Sequence, residues 1–547
     1  MPSADPQRDN AVTRRASGRL STGLTLLAIA VASVVLRWPG MMQGGFGSHD
    51  VAGMLHEAMV LRDGGLPYVD TISVKAPGTF WLAVWLAGPD GIDIARFQQW
   101  AAAFGVASLL IVSCTAWRVL GRGAAIGAAV LYGLHDLHLD NIDANYVTWA
   151  QTPMVAAAGL ALVAVTMQST RGRGAVFAAA GFMAGLAALC KRQPGLVILV
   201  VFAIAAFESA GSSPRATAKP RHQISARFPA ARFLASRWFA PSCVLAGLLL
   251  AYLPIVVRYA DAGQLPALWE GYVFSRWGLS YVMSGGQSGG GSGVGEGVLA
   301  TTHFLALPLA LAVFSAATPA TAAERRTTVM LVIWAAVMLA AAWIGFRFYK
   351  GYFLAVLPPL CLLASAPWGL LGRRGVLRRR WLRALLLIPA LVLVARQAMF
   401  LDQLRRNRAQ PRDQGGRTIA AHIGPRMQPD DRIWVWGWHL WDVYALTGHR
   451  SASRLYKSIG LLTPPNDDTW RTGPSKATFV DGPAAAILLE DLRAAPPAWI
   501  VLGSTVPHRK FTALRRFLRQ GYRRDRRVAL GRVQFWHRRD RAEQERR

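Results

Sequence analysis

Apolar stretches of near membrane-spanning length alternate with short polar segments along the first 400 residues. A helix of about twenty consecutive apolar residues is long enough to cross the hydrocarbon core of a bilayer. The pattern therefore predicts a polytopic α-helical membrane protein with about eleven transmembrane helices. The predicted spans lie at 22–38, 94–120, 124–134, 147–167, 176–190, 196–207, 239–257, 299–317, 328–346, 351–367 and 384–400.

The distribution of basic residues predicts the orientation of these helices. Residues 209–237 contain six lysines and arginines and no acid, and a second basic cluster lies at 373–383. Both segments are predicted to be cytoplasmic, because cytoplasmic loops carry an excess of Lys and Arg. The N-terminal segment 1–20 is then cytoplasmic and is predicted to be disordered. The membrane module is predicted to span 21–400, with a large outer loop at 40–93, in the inner (plasma) membrane.

The residues that follow, 401–547, have a different pattern. The runs 431–438 (DRIWVWGW) and 498–504 (AWIVLGS) are typical of strands, and 483–493 has the pattern of a helix between them. This alternation predicts a separate soluble α/β domain, which the span count places outside the membrane. The end of the chain, 514–547, is very basic and is predicted to be solvated or to lie on anionic lipid.

Composition supports a membrane protein and narrows the choice of partners. The chain is 53% hydrophobic and 17% charged, with a mean hydropathy of +0.27. A net charge of +31 could indicate nucleic acid, but the basic residues lie mostly between apolar stretches and in the tail. We therefore predict contact with membrane lipids and not with nucleic acid. No cofactor is predicted: the composition does not exclude a divalent metal, but no spacing of histidine, cysteine or acidic residues supports one.

The outer loop carries the strongest candidate for chemistry. Apolar residues recur at helical spacing from 51 to 61, and Asp50 precedes them at a predicted N-cap position. A carboxylate there can be a helix cap, or a general base that accepts a proton from an attacking hydroxyl or amine. Lys75, beyond the helix, can be an interface lysine or a cation for a phosphate. A half-apolar helix between these charges suggests a site at the membrane surface.

The stretch 44–80 resembles a known family. A first span, an acid, a helix, GGLPYVD and KAPG before the next apolar segment are similar to the GT-C membrane glycosyltransferases. The nearest branch contains bacterial protein O-mannosyltransferases and aminoarabinose transferases, which use dolichyl- or polyprenyl-phosphate-sugar donors. Many members carry two acids where this chain has His49-Asp50, so only one acid is carried over. The matching residues here are Asp50, Gly64, Gly65, Leu66, Pro67, Tyr68, Asp70, Lys75 and Pro77.

The resemblance implies an inverting hexosyl- or pentosyltransferase that uses a polyprenyl-phosphate-sugar, with Asp50 as the base. The acceptor, a glycan, lipid or protein, would lie on the outer face. The cations implied to bind the donor phosphate are Lys75, Lys191, Arg192 and Arg347. The residues implied to contact substrate are Tyr68, Asp70, Asp143 and Asn145.

Lys191 and Arg192 also stand out without the resemblance. The span count places them on the outer side, between two short predicted spans and against the trend for basic residues. Charges at such a break often line a ligand cavity. The alternative is a topology shifted by one span, which would make this segment a cytoplasmic turn. The surrounding GLAALCKRQPG also resembles the family's GL..L.K segment.

The remaining candidates match the family less closely. Arg347 lies in FRFYKGYF, where relatives often have R...HY. Asp143 and Asp140 lie in a loop where relatives place a further acid or an Asn-x-Glu, and the Glu is absent here. An acidic, solvated loop is the alternative for these two aspartates.

A second function class remains open on the sequence alone. A polytopic transporter or flippase of a lipid-linked or anionic substrate would also place charges near broken helices. Transporters commonly contain two related halves, and we find no internal repeat. The acid-headed helix and the large outer domain favour the enzyme.

Overall fold

A computed structural model describes most of the 547 residues. The described ranges are 6–41, 48–88, 91–211, 229–275, 278–279, 293–317, 321–373, 414–437, 440–457, 460–464, 470–471, 477–526 and 530–540, with a few residues between 391 and 406. The predicted span 384–400 lies mostly outside these ranges.

Helices dominate the first 373 residues. They are α1 (Pro6–Met41), α2 (His49–Arg62), α3 (Gly78–Leu86), α4 (Ile94–Val119), α5 (Arg122–His135), α6 (Tyr146–Val165), α7 (Thr170–Cys190), α8 (Arg192–Gly195), α9 (Val197–Gly211), α10 (Pro229–Asp261), α11 (Leu265–Leu268), α12 (Gly293–Ala317), α13 (Ala322–Trp343) and α14 (Leu357–Arg373). Among the described residues, eight helical segments are long and apolar enough to cross a membrane. The chain is therefore a multi-span membrane protein, as predicted. The count of about eleven spans stays a prediction.

Two predicted spans correspond to shorter helices. The span 124–134 lies in α5, which has 14 residues, and 351–367 contains the apolar helical segment Leu357–Ala366. A 14-residue helix is about 21 Å long, which is less than the thickness of the hydrocarbon core. α5 alone is therefore too short to span an unperturbed bilayer, whereas Leu357–Ala366 is part of the longer helix α14.

The first helix begins at Pro6, so residues 6–20 are helical and not disordered as predicted. Once the apolar part of α1 has formed, each further residue adds a hydrogen bond without a new nucleation cost. Proline is well tolerated at the first helical position. Residues 1–5 lie outside the described ranges.

The predicted break at 191–195 is present. Lys191 has an extended backbone (φ −159°, ψ 132°) between α7 and the single turn α8. α7 is longer than predicted, because the Ser169 hydroxyl caps it by accepting a hydrogen bond from the Gly172 amide. The two predicted short spans are thus one helix of 21 residues followed by α8 and α9.

α7 also packs against α10 at backbone distance. A carbon added at Gly181 would lie 2.0 Å from the carbonyl oxygen of Val244, and one added at Gly247 would lie 1.8 Å from that of Ala178. Small residues at such positions allow membrane helices to approach closely. The break at Lys191 therefore lies at the end of a tightly packed helix pair.

The C-terminal region forms the predicted α/β domain. Its elements are α15 (Gln414–Ile423), β1 (Ile433–Trp436), α16 (Asp442–Thr447), α17 (Pro483–Ala494), β2 (Trp499–Leu502), α18 (Thr512–Gly521), β3 (Tyr522–Asp525) and β4 (Gln534–Arg538). The sheet order is β1-β2-β4-β3, with β1 parallel to β2 and β4 antiparallel to both of its neighbours. Much of the basic tail is therefore part of the sheet and of α18. In this tail Arg523 and Arg524 remain exposed on β3.

The soluble domain covers the outer loop. Side chains alternate across β1 and β2, so Ile433 and Val435 face one core and Trp434 and Trp436 face another. The first of these cores also contains residues of α2, α3, α4 and α6. Every residue of α2 from Val51 to Val60 is buried. The helix is therefore covered on its second face by the C-terminal domain, and the location of the site at the membrane surface stays a prediction.

Candidate active site

Asp50 lies in the first turn of α2, which begins at His49. Ser48 precedes the helix with an extended backbone (φ −139°, ψ 155°) and forms no side-chain capping bond. Asp50 was predicted to be the N-cap residue, but the helix starts two residues earlier than predicted and Ser48 occupies that position. The helix dipole still stabilises a carboxylate in this turn. Its oxygens are free to interact with a partner outside the helix.

That partner is Lys75. Its Nζ lies 3.1 Å from Oδ1 of Asp50 and donates to Oδ2 at 3.3 Å. The same ammonium lies 4.8 Å from the centre of the Tyr146 ring, a cation–π arrangement. The side chains of Asp50 and Lys75 retain 23% and 32% of their surface exposed. The pair can therefore be reached by a ligand.

Tyr68 and Asp70 shape the turn that leads from α2 to Lys75. Tyr68 has a left-handed backbone (φ 67°), and its hydroxyl donates to the carbonyl of Lys75 at 2.5 Å. Oδ2 of Asp70 accepts a hydrogen bond from the amide of Leu66 at 2.7 Å. Both side chains thus have a structural role in positioning Lys75. Their predicted contact with substrate stays a prediction.

Arg192 holds the same loop from another helix. Its guanidinium donates to the carbonyl oxygen of Val74 at 2.9 Å and to that of Tyr272 at 2.7 Å. It also lies over the ring of Tyr272, 5.2 Å from its centre. Arg192 therefore connects the segment before Lys75 to the segment that follows α11, in addition to its predicted role at the donor phosphate.

Lys191 lies in the same group of charges. It interacts electrostatically with Lys75 and Asp50, and its Nζ lies 4.7 Å from the centre of the Tyr352 ring. Burial, reinforced by the nearby Lys75 charge, lowers the pKa of Lys191 to about 7. Beside Lys191 is a small cavity of about 10 Å³, lined mainly by Val147, Gln151, Gln193, Pro194, Ala341, Ala342, Gly351, Tyr352, Leu354 and Ala355.

The acidic loop before α6 borders this group. Lys350 forms an ion pair with Asp140 at 2.6 Å. Oδ1 of Asp143 accepts a hydrogen bond from the Asn145 amide at 3.2 Å. Burial and the neighbouring Asp140 raise the pKa of Asp143 to about 7, and the Asp143 carboxyl also interacts with Asp50. Asp143 thus lies near the site, where it can exchange a proton close to neutral pH.

Arg347 is placed differently from the other predicted cations. The residue is buried, and its carbonyl accepts a hydrogen bond from the amide of Trp470 in the soluble domain at 3.1 Å. Phe346 and Phe348 on either side have left-handed backbones (φ 51° and 52°). The structure groups Lys75 and Lys191 around Asp50. A role for Arg347 at the phosphate stays a prediction.

Lys457 is a further residue at this site, and it was not among the candidates predicted from the sequence. It comes from the soluble domain, is 7% exposed, and interacts electrostatically with Asp50 and Glu57. Its side chain lies against Gly53 of α2. The only local sign in the sequence is a glycine inside an otherwise apolar helix, which can mark a close approach of another group.

These charges determine the ionisation of Asp50. Burial alone would raise the pKa of its carboxyl, but the positive charges of Lys75, His49 and Lys457 outweigh burial. They hold the pKa of Asp50 well below its usual range, so the side chain is an anion at neutral pH. Within the described ranges, no group of three or more His, Cys, Asp or Glu side chains is arranged to hold a metal ion.

No family model and no curated protein match the sequence. Solved structures match over nearly the whole chain at 15% and 16% identity, and what they share with it is the fold.

One of the solved structures with a similar fold is ArnT from Cupriavidus metallidurans. Its structure bound to undecaprenyl phosphate has a TM-score of 0.60 at 15% identity, covering 93% of this chain and 97% of that chain. Its apo structure has a TM-score of 0.54 at 16% identity, covering 94% and 98%. The oligosaccharyltransferase AglB from Archaeoglobus fulgidus, in complex with an inhibitory peptide and a dolichol-phosphate, has a TM-score of 0.49 at 15% identity, covering 87% and 69%.

Proposed function

We propose that this chain transfers a sugar from a polyprenyl-phosphate donor to an acceptor on the outer face of the membrane. The observation that carries the proposal is the ion pair of Asp50 and Lys75, which is partly exposed and lies beside Lys191. A carboxylate for the nucleophile next to two cations for a phosphate is the arrangement that such a transfer needs. The fold shared with ArnT supports the same reaction class.

The reaction is a single displacement. The acceptor oxygen or nitrogen attacks C1 of the sugar, its proton goes to Asp50, and the bond from C1 to the phosphate oxygen breaks. The electron pair of that bond stays on the polyprenyl phosphate, and the configuration at C1 inverts. One carboxylate suffices, because a phosphate is already a good leaving group.

Lys75 takes part both in the activation of the base Asp50 and in the binding of the donor phosphate. In the empty site it neutralises Asp50, which makes the carboxylate a weak base. When a donor phosphate attracts the ammonium, Asp50 loses part of this stabilisation and becomes more basic. Donor binding would therefore activate the base. Lys75 and Lys191 then stabilise the negative charge that develops on the leaving phosphate.

The residues around the small cavity beside Lys191 suit the start of the lipid chain, next to the donor phosphate. The cavity itself, at about 10 Å³, has room for about one water-sized group and does not contain the chain. Most of its lining is apolar, apart from Gln151 and Gln193. Gln151 is occupied by hydrogen bonds to Tyr132 and to the Leu354 carbonyl. An apolar lining below a cation fits a chain that carries a phosphate at one end.

The direct test uses purified protein in lipid with a donor labelled in the sugar. Release of the label from polyprenyl phosphate and its appearance on an acceptor would support the enzyme. Movement of the intact donor across vesicle membranes without release would instead support the transporter or flippase, which the ArnT-like fold does not favour.

The predicted topology can be tested with reporters fused at about residue 410. We expect an alkaline phosphatase fusion there to be active and a green fluorescent protein fusion to be dark, because the positive-inside rule places this position outside. The same reporters after residue 20 should give the opposite result. A bright fluorescent fusion at residue 410 would overturn the outer location of the site.

Donor affinity is expected to fall as the pH rises through 7. Lys191 with a pKa of about 7 is mostly protonated at pH 6 and mostly neutral at pH 8, while a phosphodiester keeps its single negative charge. Each pH unit above the pKa of the free protein can cost up to about tenfold in affinity. We expect about tenfold between pH 6.5 and 8.5, measured by equilibrium binding of a fluorescent polyprenyl-phosphate-sugar.

The matched variants are Lys191→Arg and Lys350→Arg. An arginine at 191 stays charged, so the affinity should depend much less on pH in this range. The slope that remains would come from Asp143, whose pKa is also about 7. Lys350 is paired with Asp140, so its replacement should leave the wild-type slope intact. Equal slopes for the wild type and Lys191→Arg would remove Lys191 from the phosphate site.

A further inference from the structure

Lys457 occupies an unusual position between the soluble domain and α2. Its ammonium is buried and has no hydrogen-bond partner among the described residues. The Nζ lies 5.0 Å from the ring centre of Trp441 and 5.4 Å from that of Tyr456. Leaving a buried ammonium without hydrogen bonds is costly unless nearby charges compensate for it.

The acidic groups that can compensate this charge lie on one face of α2. Asp50 is ionised, whereas burial raises the pKa of the Glu57 carboxyl. Asp50 is one turn before Gly53, and Glu57 is one turn after it, so the three positions follow one side of the helix. A carbon added at Gly53 would lie 2.4 Å from Cε and 2.5 Å from Nζ of Lys457. Because Gly53 has no side chain, there is room for the ammonium of Lys457 to lie against this face of α2.

Among the groups around this face of α2, Lys457 is the one that brings a positive charge from the soluble domain. Oε2 of Glu57 accepts a hydrogen bond from Thr71 at 2.6 Å, whereas its Oε1 has no partner among the described residues. His56 is stacked on Tyr456 at 4.2 Å and accepts the amide of Ser451 at Nε2, and it is neutral because burial lowers its pKa to about 3. The charged and titratable groups that act on Asp50 and Lys457 are Glu57, His49 and Lys75.

We propose that the soluble domain completes the catalytic site by inserting Lys457 beside Gly53, where it fixes the position and charge of Asp50 between donor binding and transfer. The inference rests on the proposed function. When Lys75 moves to the donor phosphate, Lys457 remains as the cation on this face of α2. Lys457 is a positioning residue: it acts through Asp50 and is buried away from the substrate.

Two substitutions remove this contact by different routes. Lys457→Met deletes the charge but keeps an unbranched side chain against Trp441. Gly53→Ala keeps the charge and pushes the end of a flexible side chain away. Alanine is preferred over glycine inside a helix, so Gly53→Ala should not weaken α2 itself. Each is expected to lower kcat by about tenfold, because burial alone would raise the pKa of the Asp50 carboxyl and Lys457 is the cation that keeps it ionised once Lys75 has moved to the phosphate. A tenfold loss corresponds to one pKa unit.

A double-mutant cycle tests whether both act through one contact. The double variant Gly53→Ala with Lys457→Met should lose about tenfold, and not the hundredfold expected if the sites were independent. The KM for a synthetic polyprenyl-phosphate-sugar should stay within about twofold, because the phosphate is held by other cations. Arg454→Met is the control, since Arg454 pairs with Asp491 inside the soluble domain.

The outcomes separate the two proposals. If the wild type transfers sugar and Lys457→Met lowers kcat with the predicted cycle, the inference stands. If the wild type transfers sugar and Lys457→Met stays within twofold of it, or the losses multiply, the inference is wrong and the proposed function survives. If the folded wild type transfers no sugar from any donor tested, both are overturned. Circular dichroism and thermal unfolding identify variants that fail to fold, and for those Gly53→Ala alone decides.

Discussion

Asp50→Asn is expected to lower sugar transfer by about 10²-fold or more, because it removes the proton acceptor while keeping the size of the side chain. Folding should change little, since a partly exposed ion pair contributes at most about 1 kcal/mol. Donor binding should be unchanged or tighter, because Lys75 loses its partner and becomes fully available to the phosphate. Single-turnover transfer and equilibrium donor binding, measured on the same preparation, separate these effects.

Asp70→Asn is the matched control for that experiment. It makes the same chemical change in the same loop, and an amide oxygen can still accept the hydrogen bond from Leu66. We expect a much smaller loss of transfer. If Asp50→Asn keeps near-normal transfer in a folded protein, the base must be another carboxylate, with Asp143 and Asp140 the next candidates.

Lys75→Met is expected to have the second large effect, and it should act on donor binding as well as on the chemical step. It should lower kcat/KM by about 10²-fold, because one charge both binds the donor and stabilises the leaving phosphate, and the substitution removes both effects. Unlike Asp50→Asn, it should weaken donor binding, and it leaves Asp50 without its nearest cation. The measurement is the donor affinity alongside the rate at saturating and subsaturating donor.

Lys350→Met is the control for Lys75→Met. Lys350 is also an outer-loop lysine paired with an aspartate, but its side chain is 45% exposed and its partner is Asp140. Loss of such a pair should change kcat/KM only a few-fold. Equal losses for the two variants would mean that Lys75 has no special relation to the phosphate.

The membrane architecture followed from the sequence because hydrophobic length and basic-residue placement are local signals. The first span and the break at Lys191 were both predicted correctly for this reason. The helical start of α1 was missed, since a helix can extend from an apolar nucleus through polar residues that have no pattern of their own. The strands β1 and β2 were recognised from short aromatic and branched runs, whereas β3 and β4 in the basic tail were not.

The site was only partly accessible to the same reasoning. Asp50 and Lys75 are 25 residues apart and were linked by a motif, whereas their ion pair depends on the turn at Tyr68 and on Arg192. Lys457 is about 400 residues from Asp50 and belongs to no motif, so nothing local could reveal it. The burial of α2 on both faces also required knowledge of the domain that covers it.

The contact between α2 and the soluble domain has a consequence for engineering chimeras. His56, Glu57 and Gly53 are buried against side chains of the C-terminal part, including Tyr456 and Lys457. Grafting residues 414–540 of a relative onto this membrane module would leave these groups facing foreign partners, with buried charge unmatched. The helix 49–62 must be exchanged together with the domain, so the two segments are expected to be inherited as a single unit despite lying at opposite ends of the chain.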